Sequence, residues 1–161
     1  MKRIVCLMAL VISMHMTVIA QRNSDFASRF MDTIAKDSGV QCETISPKMM
    51  EQLTSMPDST RSDVMQQALQ KLKSARIITA PDSVEQYYSK AMMLLKRYPK
   101  RFKLYEEYKQ EDAYGAFYTR RSKADKIVEL IMLRADIKTR TLIIVNLTGD
   151  LDEIVISMLS L

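Results

Sequence analysis

Side chains that could perform acid–base or nucleophilic chemistry are few in this sequence. Four carboxylates, Glu106, Glu107, Glu111 and Asp112, lie close together in the chain. Paired carboxylates can act as general acid and base, or can hold a cation through their oxygen atoms. Acidic residues around a hairpin turn are more often solvated. The sequence therefore favours a solvated role for these four side chains over a catalytic one.

Cys42 is the other candidate nucleophile. The chain has two cysteines and one histidine, and both Cys6 and His15 lie in the first twenty residues. If that segment is removed, Cys42 remains without a histidine, and its activation needs a lysine or a helix terminus. A chain without histidine cannot run a Ser-His-Asp or Cys-His relay. We therefore expect a non-enzymatic protein with a buried, unreactive Cys42 and no metal or cofactor; a hydrolase that uses carboxylates or Cys42 is the alternative.

A basic cluster provides a possible binding surface. Lysine and arginine near a helix C-terminus stabilise the helix itself, so a solvated face is the simpler interpretation. The alternative is contact with an anionic lipid surface or another polyanion. The residues of this cluster are Lys96, Arg97, Lys100, Arg101, Lys103, Arg120 and Arg121.

All seven tyrosines lie between Tyr87 and Tyr118. Such a group could form an aromatic surface for a partner or ligand, with Tyr105, Tyr108, Tyr114 and Tyr118 as its candidate residues. The simpler interpretation is that the tyrosines of a long helix pack against the strands that follow it.

The first twenty residues are typical of a secretory signal peptide. Lys2 and Arg3 precede a largely apolar segment, residues 4–19, and Ala20 provides a small residue at the junction. Cleavage after Ala20 would send residues 21–161 to the periplasm or beyond. The signal contains two of the 24 basic residues and none of the acidic ones. The small positive charge that remains predicts no nucleic-acid partner.

Residues 21–161 are the right length for a single domain. Hydrophobic spacing and capping residues predict a first helix after Ser24, which would act as its N-cap. Helix periodicity and β-branched runs then predict further elements in the order strand, helix, helix, strand and long helix. These are placed at residues 40–45, from Pro47 onward, at residues 61–72, 74–79 and 84–98.

The last third of the chain predicts a four-strand meander. Two apolar runs, residues 127–133 and 142–147, read as strands, and Asp150 reads as the N-cap of a helix over residues 151–159. The expected fold class is therefore α+β. A mostly antiparallel sheet combines this C-terminal meander with the two earlier strands, and the helices pack mainly on one face.

Three segments resemble a known family: Ile45-Ser46-Pro47-Lys48, residues 72–78 and residues 142–150. From Asp25 to Leu161 the chain resembles the Bacteroidetes family called domain of unknown function 4252. The resemblance implies an exported α+β domain, carries over no catalytic residue, and suggests a link to envelope stress signalling. We therefore expect an envelope binding or interaction module with an envelope protein as its partner; anionic-lipid or polyanion binding is the alternative.

Overall fold

A six-stranded antiparallel sheet forms the centre of the fold in the computed structural model, which describes residues 24–35, 39–55, 70–152 and 156. The sheet order is β1-β2-β6-β5-β4-β3, so β1 and β3 are the edge strands. The strands are β1 (Gln41–Ile45), β2 (Leu72–Pro81), β3 (Lys103–Lys109), β4 (Ala113–Arg121), β5 (Ile127–Asp136) and β6 (Thr141–Leu151).

Three helices accompany this sheet in the described ranges. They are α1 (Phe26–Thr33), α2 (Pro47–Ser55) and α3 (Val84–Arg97). None of the helices described is long and apolar enough to cross a membrane. Pro47 opens α2 because proline at the first helical position loses only an amide that had no partner.

The α+β fold class and the antiparallel meander are confirmed. Strands β3 to β6 pair in sequence order, and β2 joins the free side of β6. The two apolar runs become β5 and β6, the central part of the sheet, where most of their side chains are buried. Long apolar strands occupy the centre because both of their faces are covered.

Helices α1 and α3 share one face of the sheet. Phe26 and Phe30 of α1 and Leu95 of α3 pack into one cluster with Ile131 and Ile144 of the central strands. The opposite face carries a smaller apolar cluster made of Ala75, Phe117, Ile127, Leu130, Leu147, Leu151 and Ile156. Alternation along the strands separates these two sets, because successive side chains point to opposite faces.

The end of β6 differs from the sequence prediction. Asp150 belongs to β6, which continues to Leu151, so its predicted N-cap role is wrong. Gly149 is needed here because a Cβ at this position would come within 2.2 Å of the Lys71 carbonyl oxygen. The close approach of two backbone segments therefore explains the glycine at this position. The helix predicted over residues 151–159 falls mostly outside the described residues.

Two smaller boundaries also differ. The N-cap of α1 is Asp25, whose carboxylate accepts a hydrogen bond from the Ser28 amide at 2.8 Å, and the predicted cap at Ser24 is off by one residue. Leu72 begins β2, so the helix predicted over residues 61–72 ends before it, and residues 61–69 lie outside the described ranges.

Candidate functional site

A groove lies between α3 and the β3–β4 hairpin, close to the edge of the sheet. The volume of this open groove is about 640 Å³. Helix α3 contributes two residues, β3 three, β4 two, and the β5–β6 turn one. The lining residues are Tyr88, Met92, Glu107, Tyr108, Lys109, Tyr114, Gly115 and Ile137. We call this site the tyrosine groove.

Helical spacing and ring packing position the aromatic residues on the α3 side. Tyr88 and Met92 are four residues apart and therefore lie on the same side of α3. The ring of Tyr88 meets that of Tyr114 edge to face, with centroids 4.9 Å apart and an interplanar angle of 73°. This contact ties α3 to β4 and is the packing of helix tyrosines against strands that the sequence favoured.

Tyr108 borders the groove through its place on β3, but its ring belongs to the apolar cluster on the opposite face of the sheet. Its ring packs against Phe117 with centroids 5.8 Å apart, and its hydroxyl donates to the Leu133 carbonyl at 3.5 Å. Gly115 leaves the space for this ring. A Cβ on Gly115 would lie 2.7 Å from the Tyr108 hydroxyl oxygen and 2.0 Å from the Leu133 carbonyl oxygen.

Burial raises the pKa of the groove tyrosines. For Tyr88, desolvation and then the charge of Glu107 raise the pKa to about 12. Desolvation is also the main reason that the pKa values of Tyr108 and Tyr114 are raised; nearby Glu85 adds to the effect at Tyr114. These phenols therefore stay neutral at physiological pH, so each can donate a hydrogen bond from an otherwise apolar ring.

The four tyrosines proposed from the sequence separate in the structure. Tyr108 and Tyr114 line the groove, whereas Tyr118 is buried in the core and offers no surface. Tyr105 is exposed on β3 but does not line the groove. The sequence analysis missed Tyr88 as a site residue, although its helical spacing from Met92 was a usable signal.

The predicted basic cluster also divides into two groups. Lys96 and Arg97 in the last turn of α3, with Lys100 and Lys103 beyond it, are exposed. None of these four forms an ion pair within the part of the chain that the structure describes. We call them the basic corner.

The other three cations are engaged in the fold. Arg101 donates to the carbonyl of Ser24 at 2.7 Å. Arg120 is paired with Glu129, and Arg121 donates to the carbonyl of Asp125 at 2.8 Å. The guanidinium groups of these three residues are therefore held by contacts within the fold.

A buried polar cluster beneath α1 explains why Arg120 is engaged. The fully buried Glu129 accepts from the Phe26 amide at 2.6 Å through Oε1, and from Arg120 Nε at 2.5 Å through Oε2. Asn146 accepts from the Ala27 amide at 2.9 Å and donates to Glu129 Oε1 at 3.1 Å. We call this arrangement the α1 clamp; no sequence pattern pointed to it.

The α1 clamp satisfies the first turn of a helix. The first amides of any α-helix lack partners within the helix, and its N-terminus favours negative charge. Glu129, Asn146 and the capping Asp25 fill these needs from three separate positions. Arg76 adds a contact to Asp25 at 3.2 Å. The cluster is closed and structural.

The remaining chemical candidates do not converge. Glu106 and Glu107 are exposed on β3, and Glu111 and Asp112 are exposed in the hairpin turn. Among the described residues, no group of three or more histidine, cysteine or acidic side chains could hold a metal ion. Cys42 is exposed, so the expectation that it is buried is wrong. It lies on the edge strand β1, which pairs with β2 alone among the strands that the structure describes.

The fold and the groove define an α+β domain built on an antiparallel sheet, with an open aromatic groove beside one edge. A family model described as "Domain of unknown function (DUF4252)" matches residues 22–159, and the chain belongs to that family. A comparison with curated proteins found no match.

Proposed function

We propose that this protein is an exported, non-enzymatic interaction module that holds a segment of a partner protein in the tyrosine groove. The observation that carries the proposal is the open groove of about 640 Å³, where the packed rings of Tyr88 and Tyr114 lie with Met92 and the exposed Ile137. Such a surface combines apolar area with a few oriented hydroxyl groups.

The chemistry of the groove suits a segment with apolar or aromatic side chains. Tyrosine and methionine are both enriched at the centres of protein interfaces, and tyrosine buries a large area at a low conformational-entropy cost. Glu107 and Lys109 lie among these residues and supply one charge of each sign. Charges at a rim favour one orientation of a partner more than they add affinity.

The partner is expected to dock through side chains rather than by adding a strand to β3. Six of the seven residues of β3 are exposed, and four of them are charged. The pairing of β3 with β4 also carries a register shift between Leu104 and Glu106. Charged side chains and bulges are the features that protect a sheet edge from pairing with another strand.

Export is part of the proposal and is supported by the N-terminal sequence. Lys2, Arg3 and the apolar segment that follows are typical of a signal peptide. Mass spectrometry of the protein purified from the extracytoplasmic fraction should find Gln21 as its first residue. A chain that keeps Met1 and stays in the cytoplasm would contradict export. The resemblance stated above adds envelope stress signalling as the setting for the partner.

Site-specific photo-crosslinking in the producing cell tests the groove. A photoreactive phenylalanine analogue is placed at Ile137, on the groove, or at Met93, which is exposed on α3 outside the lining. We expect a discrete crosslinked product from position 137 and none from position 93. The two positions are 55% and 61% exposed, so they offer matched accessibility.

Adding the substitution Tyr114→Ser to the chain labelled at position 137 should remove the product. This change deletes the ring that meets Tyr88 in the groove. Equal products from positions 93 and 137, or a product that survives Tyr114→Ser in a folded chain, would show that the groove does not select a partner.

A further inference from the structure

The residues of the basic corner flank one tight turn of the chain. The chain turns tightly between α3 and β3, where the amides of Arg101 and Phe102 both donate to the Tyr98 carbonyl, at 2.9 and 3.0 Å. Phe102 is buried and meets the ring of Phe26 at 5.8 Å, which fixes the turn against the core. The four exposed cations at 96, 97, 100 and 103 are therefore carried on a rigid frame.

Two large apolar side chains adjoin these cations. Leu104 is 51% exposed and Tyr105 is 45% exposed at the start of β3. Both follow Lys103 directly in the chain. Exposed leucine and tyrosine beside several lysines is the pattern of surfaces that rest on anionic bilayers, where apolar groups enter the interface and cations meet the headgroups.

Stabilisation of α3 alone does not account for the corner. Cations in the last helical turn offset the negative end of the helix dipole, which explains Lys96 and Arg97. Lys100 and Lys103 lie beyond that turn, and the exposure of Leu104 and Tyr105 gains nothing from the dipole. The combination suits a partner that offers both negative charge and an apolar interior.

Arg101, in the turn that carries the basic corner, is partly buried. Burial, followed by the charges of Arg120 and Arg29, lowers the pKa of Arg101 from its usual value. Glu106 and Glu107 lie farther along β3, roughly 10 to 13 Å from Lys103 at about 3.3 Å per residue. Glu106 directly follows Tyr105 and so lies at the border of the contact, and Glu107 lies one residue farther from it.

We infer that the basic corner, with Leu104 and Tyr105, docks the protein on the surface of an anionic lipid bilayer. Lys96, Arg97, Lys100 and Lys103 contact phosphate-bearing headgroups, and the two apolar side chains enter the interface. Tyr88 lies nine residues before Arg97, roughly 14 Å along the helix axis. Tyr88 therefore lies away from the corner along α3, and this inference does not depend on the groove's partner.

Tryptophan fluorescence tests the docking directly because the chain contains no tryptophan. Leu104→Trp places a single reporter at the corner. Met49→Trp places a matched one on α2, beside the opposite edge of the sheet, where Met49 is 48% exposed. Both tryptophan variants are made in a protein that spans Gln21 to Leu161. This protein keeps every described element and omits the apolar N-terminal segment.

The probes are vesicles of phosphatidylcholine with phosphatidylglycerol, vesicles of phosphatidylcholine alone, and soluble polyphosphate. We expect the emission of Leu104→Trp to shift to shorter wavelength with the anionic vesicles only, and that of Met49→Trp to stay unchanged. Changing the four cations to glutamine in the Leu104→Trp chain should lower partitioning at least ~100-fold, at about fivefold per basic residue. Circular dichroism checks that the variants are folded.

Three results would overturn the inference. One is equal emission shifts from both reporters, which would indicate non-specific adsorption. Another is unchanged partitioning of the folded four-glutamine chain. The third is binding to polyphosphate without any emission shift on anionic vesicles, which would assign the corner to a soluble polyanion.

Discussion

The α1 clamp and the tyrosine groove place polar groups beside a helix in opposite ways. In the clamp, Glu129 and Asn146 are buried, and both bond to backbone amides of α1 and to each other. In the groove, Tyr88 and Tyr114 meet through their rings at an open surface. The first arrangement is closed to any ligand, whereas the second leaves room for one.

This difference separates residues that maintain the fold from residues available for recognition. A buried polar group that loses its partner carries a full desolvation penalty, while an exposed side chain carries almost none. Substitutions in the clamp should therefore lower the free energy of unfolding. Substitutions at an exposed groove position such as Ile137 should alter binding and leave stability nearly unchanged.

Replacing Glu129 should cause the largest loss of stability. Glu129→Leu leaves Arg120 and the Phe26 amide without their buried acceptor. We expect the free energy of unfolding to fall by about 3–5 kcal/mol, as when one partner of a buried ion pair is removed. Urea unfolding measures this loss. The matched control is Glu106→Leu on the exposed strand β3, whose free energy of unfolding should change by no more than about 0.5 kcal/mol. Equal losses for the two variants would refute a structural role for the clamp.

Asn146→Leu should have the next largest effect. The Ala27 amide loses its acceptor, and Glu129 loses a donor. The expected cost is about 1–3 kcal/mol, the penalty for one unsatisfied buried group. Hydrogen exchange gives a local readout, because the Ala27 amide should lose protection more than the amides of α3. Uniform loss of protection across both helices would argue against a local clamp.

Tyr88 should make the free energy of unfolding depend on pH in the alkaline range. Its folded-state pKa is raised from 10.0 to about 12, so between these values the unfolded chain releases a proton that the folded chain keeps. Stability should therefore fall as the pH rises from 10 towards 12. Tyr88→Phe should flatten this part of the profile, measured by urea unfolding across the range. A profile as steep in Tyr88→Phe as in the unchanged chain would show that Tyr88 is not the group responsible.

The strands and their connections were largely predictable from sequence. Apolar runs at residues 127–133 and 142–147 mark the central strands because both faces are buried there. The short links between the last four strands specify an antiparallel meander. The periodic stripe from Val84 onward likewise identified α3, which begins at Val84 and ends at Arg97.

The polar contacts were not predictable, because they join distant parts of the chain. Glu129 and Phe26 are 103 residues apart, and Asn146 and Ala27 are 119 residues apart. From sequence alone, Asn146 and Asp150 suggested the end of a strand and a helix cap. In the structure Asn146 is a buried residue of β6, and its side chain accepts a hydrogen bond from the Ala27 amide in the first turn of α1.

The candidate surfaces likewise depend on contacts between residues that are far apart in the sequence. Sequence identified the tyrosine-rich region, but only the packing of α3 on the sheet shows that Tyr88 joins Tyr114 and that Tyr118 is buried. The position of β1 at the sheet edge exposes Cys42. Pairing order among strands is set by tertiary packing, which local spacing does not encode.

The most direct test of the central claim is the affinity of the crosslinked partner, once purified, for two matched variants. Ile137→Arg adds a charged side chain to the groove, and Met93→Arg adds the same side chain to exposed α3 outside the groove. Both should unfold within about 0.5 kcal/mol of the unchanged chain. We predict that Ile137→Arg raises the Kd at least ~10-fold, the result of losing about 1.4 kcal/mol, while Met93→Arg leaves it unchanged. Equal Kd values for the two folded variants would contradict recognition through the tyrosine groove.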